Sequence, residues 1–233
     1  MQEKPVSGAR AAVGLSILLP FLAANVSAET ILHVGRLIDV TTESVRTEQS
    51  IVVDGERIVR VESGYLSTPG ATIIDLTDAT VMPGWLDMHV HIASQQSPGR
   101  QIESFTTDPA DHAYRSVAYA ERTLMAGFTT VRDLGTTAGL AQSLRDAIAE
   151  GWVDGPRIDT AGKALASSGG HGDPSNGRSR ALSFDPGPDE GVVNGAADAY
   201  KAVRVLYKEG SDLIKITATG GVLSQAKSGQ NPQ

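Results

Sequence analysis

The chain has 233 residues, 27 acidic against 20 basic side chains, a formal net charge of −7 and no cysteine. Without cysteine there are no disulfides and no thiolate ligands, so any metal site has to be built from His, carboxylates and Lys. The acidic balance, with no cluster of Lys and Arg, argues against a nucleic-acid partner.

Residues 1–28 match the three parts of a secretory signal peptide. Lys4 and Arg10 give a basic start, Ala11 to Ala24 is uncharged and largely apolar, and Val26-Ser27-Ala28 offers small residues for cleavage. The apolar run is shorter than the ~20 residues of a membrane span, so no stable membrane insertion is expected after cleavage. A buried helix or an uncleaved anchor are the competing readings. Export predicts a mature chain beginning near Glu29 and a periplasmic or secreted location.

Residues 29–83 read as an N-terminal β-domain. Ile31 to Val40 is mostly apolar, and Ser50–Val53 and Arg57–Val61 flank Asp54-Gly55 as a hairpin. Thr72–Leu76 is a further short strand, and Pro83-Gly84 breaks the chain after it. In the next strand His89 and His91 are two residues apart and share a face, while Leu86, Met88 and Val90 are expected to pack on the other. Two neutral imidazoles at a strand end suit a borderline divalent metal such as zinc. Two half-exposed strand histidines are the plainer alternative.

From Gly84 strands and helices alternate, which predicts a parallel α/β sheet. Asp108-Pro109 starts a helix that repeats Ala113, Val117, Ala120 and Leu124 and ends at Gly127. Phe128–Arg132 is a strand, and Asp133 at its end either faces the site or caps the next helix. Leu140, Leu144 and Ile148 mark a helix closed by Gly151, Pro156–Ala161 a strand, and Ala199, Val203 and Leu206 a helix closed by Gly210. Asp212–Ala218 is the last expected strand. The loop from Gly162 to Gly195 is rich in Gly, Ser, Asp and Pro, and loops of that length are usually functional or disordered.

Lys215 stands among Leu213, Ile214 and Ile216. A lysine in an apolar strand has to lose its charge, pair it or be modified; burial lowers an amine pKa, and a neutral amine can take up carbon dioxide as a carbamate. An ion pair with Asp212 or another carboxylate is the competing reading. His171, in Gly169-Gly170-His171-Gly172-Asp173, is either a ligand-facing group on a glycine loop or a solvated loop histidine. His112 reads as a surface helix residue and His33 as a β-domain packing or surface residue. There is no Gly-x-Ser-x-Gly elbow, no His-Glu-x-x-His and no phosphate loop, which leaves serine hydrolases and nucleotide enzymes unsupported.

Taken together, Asp75-Leu76, Val81-Met82-Pro83-Gly84, Asp87-Met88-His89-Val90-His91, Gly127–Asp133, Gly169–Asp173 and Ile214–Val222 resemble the metal-dependent amidohydrolase superfamily, in its prolidase and imidazolonepropionase-like branch. The resemblance runs from about Ile31 to Gln233. It implies an α/β fold: the N-terminal half of a (β/α)8 TIM barrel over residues 84–233, preceded by part of a small β-sandwich domain. It implies one or two divalent metal ions, zinc foremost, with His89 and His91 as ligands and a carboxylated, catalytic Lys215 bridging two metals. It gives His171 a substrate-binding role. The implied reaction is hydrolysis of an amide or peptide C–N bond by a metal-activated water, with a small amide, dipeptide or N-acyl amino acid as substrate; lactam rings also fit. A homo-oligomer is compatible with all of this. The family takes two more His and one Asp, the general acid/base, from later strands. A complete barrel needs about 250 residues, so residues 85–233 supply about four βα units, and the chain is expected to be a portion of a longer protein. The alternative is a catalytically inactive truncated fragment that lacks those later ligands and the catalytic Asp.

Overall fold

The computed structural model describes residues 29–136 and 139–221. The signal-like segment 1–28 and the polar tail from Lys227 lie outside the described residues. The chain divides between Pro83 and Gly84 into two compact units.

The first unit is a four-stranded sheet of β1 (Thr30–Asp39), β2 (Ser44–Asp54), β3 (Arg57–Ser63) and β4 (Thr72–Val81), in the order β3-β2-β1-β4. Strands β1, β2 and β3 pair antiparallel, and β4 lies parallel to β1. The two-residue loop between β2 and β3 turns at Gly55, whose φ is +55°. Gly35 sits where the β1–β4 register slips between Val34 and Arg36. A Cβ there would lie 1.8 Å from the Thr77 carbonyl oxygen, so only glycine admits this approach of two backbones. Val34, Leu37 and Ile51 form the core, covered by Leu32, Val53, Val61 and Val81. His33 donates through Nε2 to the Leu66 carbonyl at 2.7 Å, and its ring lies against Tyr65. Since a carbonyl only accepts, Nε2 carries the proton there. Among the described residues this unit is a single sheet.

The second unit alternates strand and helix: β5 (Trp85–Val90), α1 (Arg100–Thr106), α2 (Pro109–Met125), β6 (Phe128–Asp133), α3 (Leu140–Ala149), β7 (Arg157–Thr160) and α4 (Ala196–Lys208). The three strands form a parallel sheet in chain order, β5-β6-β7. Helix α2 starts where the Asp-Pro predicts, and the Asp111 carboxylate accepts the Asp108 N–H at 3.1 Å. Glycines with φ of +70° and +81°, Gly151 and Gly210, follow α3 and α4. Ile92, Ala120, Val131, Ala141, Leu144 and Ile158 make the core between sheet and helices. Small Ala120 and Ala141 let α2 and α3 approach the sheet closely. Among the described residues no helix is long and apolar enough to cross a membrane.

Two expectations need correction, and one element is new. Helix α1 has no counterpart in the sequence reading. The strand expected over Asp212–Ala218 is a single parallel bridge, Ile216 to Leu165, because its partner is a short stretch of the Gly-rich loop. The face of β5 opposite the histidines is only partly packed: Val90 joins the core, but Leu86 is 63% and Met88 39% exposed. Alternation set the face correctly; what covers that face is a long-range property that a local pattern does not carry.

Candidate active site at the strand ends

His89 lies near the end of β5, and His91 follows its last residue. The two rings stand 5.7 Å apart between centroids, at 65° to each other. The Gly135 carbonyl, in the loop after β6, lies 2.7 Å from His91 Nδ1. A carbonyl accepts only, so Nδ1 carries the proton and Nε2 is left with its lone pair, the arrangement found at metal-ligating histidines. His89 is placed through its backbone, whose N–H donates to Asp87 Oδ1 at 2.9 Å. Its pKa lies below the ordinary histidine value, first because of burial and then because of the nearby positive charge of Lys215 and the His91 ring; Asp87 opposes the shift. A neutral imidazole is the ligand form.

Lys215 is half-buried between the exposed Ile214 and Ile216. Its carbonyl accepts the Leu165 N–H at 2.8 Å, and the Thr217 N–H returns to the Leu165 carbonyl at 2.8 Å. Among the described residues Lys215 has no ion-pair partner. The pairing with Asp212 that the sequence left open is not made. That carboxylate instead accepts Arg145 Nη1 at 2.7 Å and the Thr160 N–H at 2.9 Å.

The glycine loop packs onto the end of the Lys215 segment. A Cβ on Gly221 would come within 2.6 Å of the exposed His171 ring, and one on Gly172 within 3.4 Å of Thr217 Oγ1. The loop is shaped by Asp173, which is buried and accepts the Gly169 N–H at 2.7 Å, the Ser175 N–H at 2.8 Å and the Ser175 hydroxyl at 2.7 Å. Burial pushes this carboxyl upward, but the hydrogen bonds from Ser175 and Gly169 outweigh it and leave the pKa below the usual value.

Two features lay beyond the sequence reading. Asp133 neither opens to the site nor caps α3, whose N-cap is Gly139; it is fully buried. His112, expected at the surface, lines a cavity of about 710 Å³ with Ser94, Arg115, Gly135 and Arg178. The Arg178 guanidinium is stacked 5.5 Å from the Phe105 ring and 5.4 Å from Phe184, so it ties α1 to the glycine-rich loop. The spacing of His112, Arg115 and Tyr119 along α2, one face of a helix, was the available signal for this wall.

As a metal site the residues fit in part. Two imidazoles, one with its tautomer set by Gly135, offer two nitrogen donors, and Lys215 lies close enough for its charge to act on His89. Among the described residues no group of three or more His, Asp or Glu is placed to hold a metal ion.

The model of the Amidohydrolase family matches residues 80–233. A crystal structure of a Xaa-Pro dipeptidase with methionine in its active site is 46% identical, with a TM-score of 0.82, over 88% of this chain and 51% of that one. A prolidase crystallised with N-methylphosphonate-L-proline is 36% identical, with a TM-score of 0.74, over 88% of this chain and 50% of that one. Ochratoxinase from Aspergillus niger is 28% identical over 213 residues, 84% of this chain and 43% of its own length. The chain thus spans about half the length of the relatives it matches, which include prolidases, and it belongs to the amidohydrolase family.

Proposed function

We propose that this chain contributes the first strands of the catalytic barrel of a metal-dependent hydrolase of amide or peptide C–N bonds. Three parallel strands in chain order, each followed by helix, support a (β/α)8 barrel, in which chemistry sits at the C-terminal strand ends. The observation that carries the reading is His91, held through Nδ1 by Gly135 so that Nε2 is presented beside His89, whose pKa is lowered, and Lys215, which has no ion-pair partner among the described residues. His89 and His91 would hold a divalent ion, zinc by its taste for nitrogen donors. When bound, the ion supplies a polarised carbonyl and a water acidified toward neutrality. The Lys215 amine, in its neutral form, would add to carbon dioxide through Nζ and release one proton, and the carbamate would offer two oxygen donors to the metal site. His171, at the end of the same segment, would orient the substrate carbonyl. The proton-transferring Asp would come from a later strand of the barrel.

The prolidase relatives point to dipeptides or N-acyl amino acids as substrates, and the signal-like residues 1–28 to a periplasmic or secreted site of action. A second reading, weak metal binding without turnover, is favoured by one observation: the described residues form no three-ligand group.

Elemental analysis and hydrolysis of an Xaa-Pro dipeptide test both, in the protein carrying its whole barrel, as wild type and as His89→Ala. Loss of bound metal together with loss of metal-dependent hydrolysis in His89→Ala is the expected outcome. Unchanged metal content with full turnover would reject the site. Metal bound by wild type without turnover would establish the second reading.

A further inference from the structure

Asp133 is a fully buried carboxylate that makes no salt bridge among the described residues. Burying an unpaired carboxylate is costly unless other dipoles replace its water. Here they do. The Ile92 N–H reaches Oδ2 at 2.8 Å and the Gly135 N–H reaches Oδ1 at 3.2 Å. Thr136 Oγ1 lies 2.8 and 2.9 Å from the two oxygens, and the Thr160 hydroxyl makes a long contact of 3.4 Å. An apolar side chain would fill such a position at lower cost if packing alone were at stake.

The donors themselves are informative. Ile92 follows His91 directly, so its amide fixes the backbone from which the ring projects. Gly135 supplies the carbonyl that takes the His91 Nδ1–H. The peptide plane bearing that carbonyl is held directly by its Thr136 N–H on the Gly162 carbonyl at 2.6 Å, and from either side by the Gly135 N–H and the Thr136 hydroxyl on Asp133. Both tethers of His91, along its backbone and at its ring, therefore converge on one side chain. His89 has no ring hydrogen bond among the described residues and no such bracket.

We propose that Asp133 is a positioning residue for His91: it fixes the site of the ring and, through the Gly135 carbonyl, the tautomer that leaves Nε2 open. The consequence for metal affinity rests on the metal-site reading above; the consequence for the ring does not.

The test uses the full chain. Nitrogen NMR of the metal-free protein, at a pH well above the ordinary histidine range, reads the His91 tautomer. Chelator competition reads the zinc dissociation constant. Wild type should show a single Nδ1–H tautomer. Asp133→Asn, which places an N–H₂ where only acceptors fit, should show mixed tautomers. Its zinc dissociation constant should rise by about 10–100-fold, the range for loss of an outer-shell partner. Thr136→Val, a milder change that removes one clamp, should move both readouts the same way by less, and it decides the matter if Asp133→Asn does not fold. Ile158→Val serves as a core variant of lowered stability and should move neither. If the Asp133 and Thr136 variants melt early, as Ile158→Val does, but keep one tautomer and wild-type zinc affinity, Asp133 is a staple of the fold and the proposal fails. If wild type binds no zinc, the metal reading fails, and the tautomer alone decides the role of Asp133.

Discussion

The two halves of the candidate site are built to different standards. The histidine half rides on β5, which is laddered to β6, and the loop after β6 is bonded back onto His91. The lysine half rides on a segment joined to its neighbour by two backbone bonds, both to Leu165. Leu165 itself lies in a loop whose other ladder contact among the described residues is the bridge from Ala166 to Val192. The lysine half is pinned at its start, where the Asp212 N–H donates to the Thr160 carbonyl at 2.8 Å and its carboxylate takes Arg145. The difference teaches where preorganisation resides: the His91 ring is set before any ligand arrives, whereas among the described residues the lysine rests on the Asp212 anchor and the Leu165 bridge.

Removing that anchor should widen the gap. Arg145 donates to the Gly210 carbonyl at 2.8 Å and to Asp212 at 2.7 Å; burial lowers its pKa, but the carboxylates of Asp146 and Asp212 outweigh that and hold it above the usual value. Arg145→Met should cost about 1 kcal/mol in denaturant unfolding, the lower end for charge-assisted bonds because both groups are partly exposed. Hydrogen exchange should localise the damage. The Leu165 and Thr217 amides, bonded across the lysine bridge, should exchange faster than in wild type. The Leu134 amide, bonded to the Val90 carbonyl at 3.0 Å, should change little. Equal acceleration at all three would mean that the two halves unfold as one and that the contrast drawn above is wrong.

A smaller perturbation probes the rigid half. A Cβ on Gly135 would lie 3.4 Å from His91 Cε1 and 3.6 Å from Nδ1, in close contact with the ring and at the limit where the ring would have to shift. Gly135→Ala should weaken zinc binding by less than the ~10-fold that marks outright loss of an outer-shell partner. Wild-type affinity in this variant would show the histidine half to be more pliant than its hydrogen bonds suggest.

What could be seen in the sequence follows the same division. The His89–His91 strand was legible because alternation and Pro83-Gly84 are local signals, and α2 was legible from Asp108-Pro109 and the spacing of its apolar residues. The parallel arrangement followed from the alternation of elements. The bond from Ile92 to Asp133 spans 41 residues, and nothing near Asp133 announces that its side chain turns inward. The exposure of Leu86, Met88 and Ile216, and the reduction of the Lys215 strand to a bridge, depend on which elements lie alongside, and periodicity reports only which way a side chain faces. Lys215 drew notice for its apolar neighbours; that Asp212 is taken by Arg145 became visible only in three dimensions.

The finest test reads the electrostatics that join the two halves. His89 has a folded-state pKa below the ordinary value, by burial first and by the Lys215 charge second. The neutral ring is therefore favoured by the fold, and the linkage has a definite sign. Above the unfolded histidine pKa of about 6.5 the group has no effect on stability; as pH falls through that value toward the lowered one, the unfolded chain takes up the proton first and the fold loses stability. NMR titration of the metal-free chain should place the His89 midpoint below the ordinary range. Lys215→Met should raise it only partway, because the burial contribution remains. Bicarbonate should move the wild-type midpoint further in the same direction than Lys215→Met does, since a carbamate replaces a neighbouring positive charge with a negative one. A midpoint indifferent to bicarbonate would show Lys215 to be an ordinary cation in this chain, and the bridging role would fall while the histidine half stood.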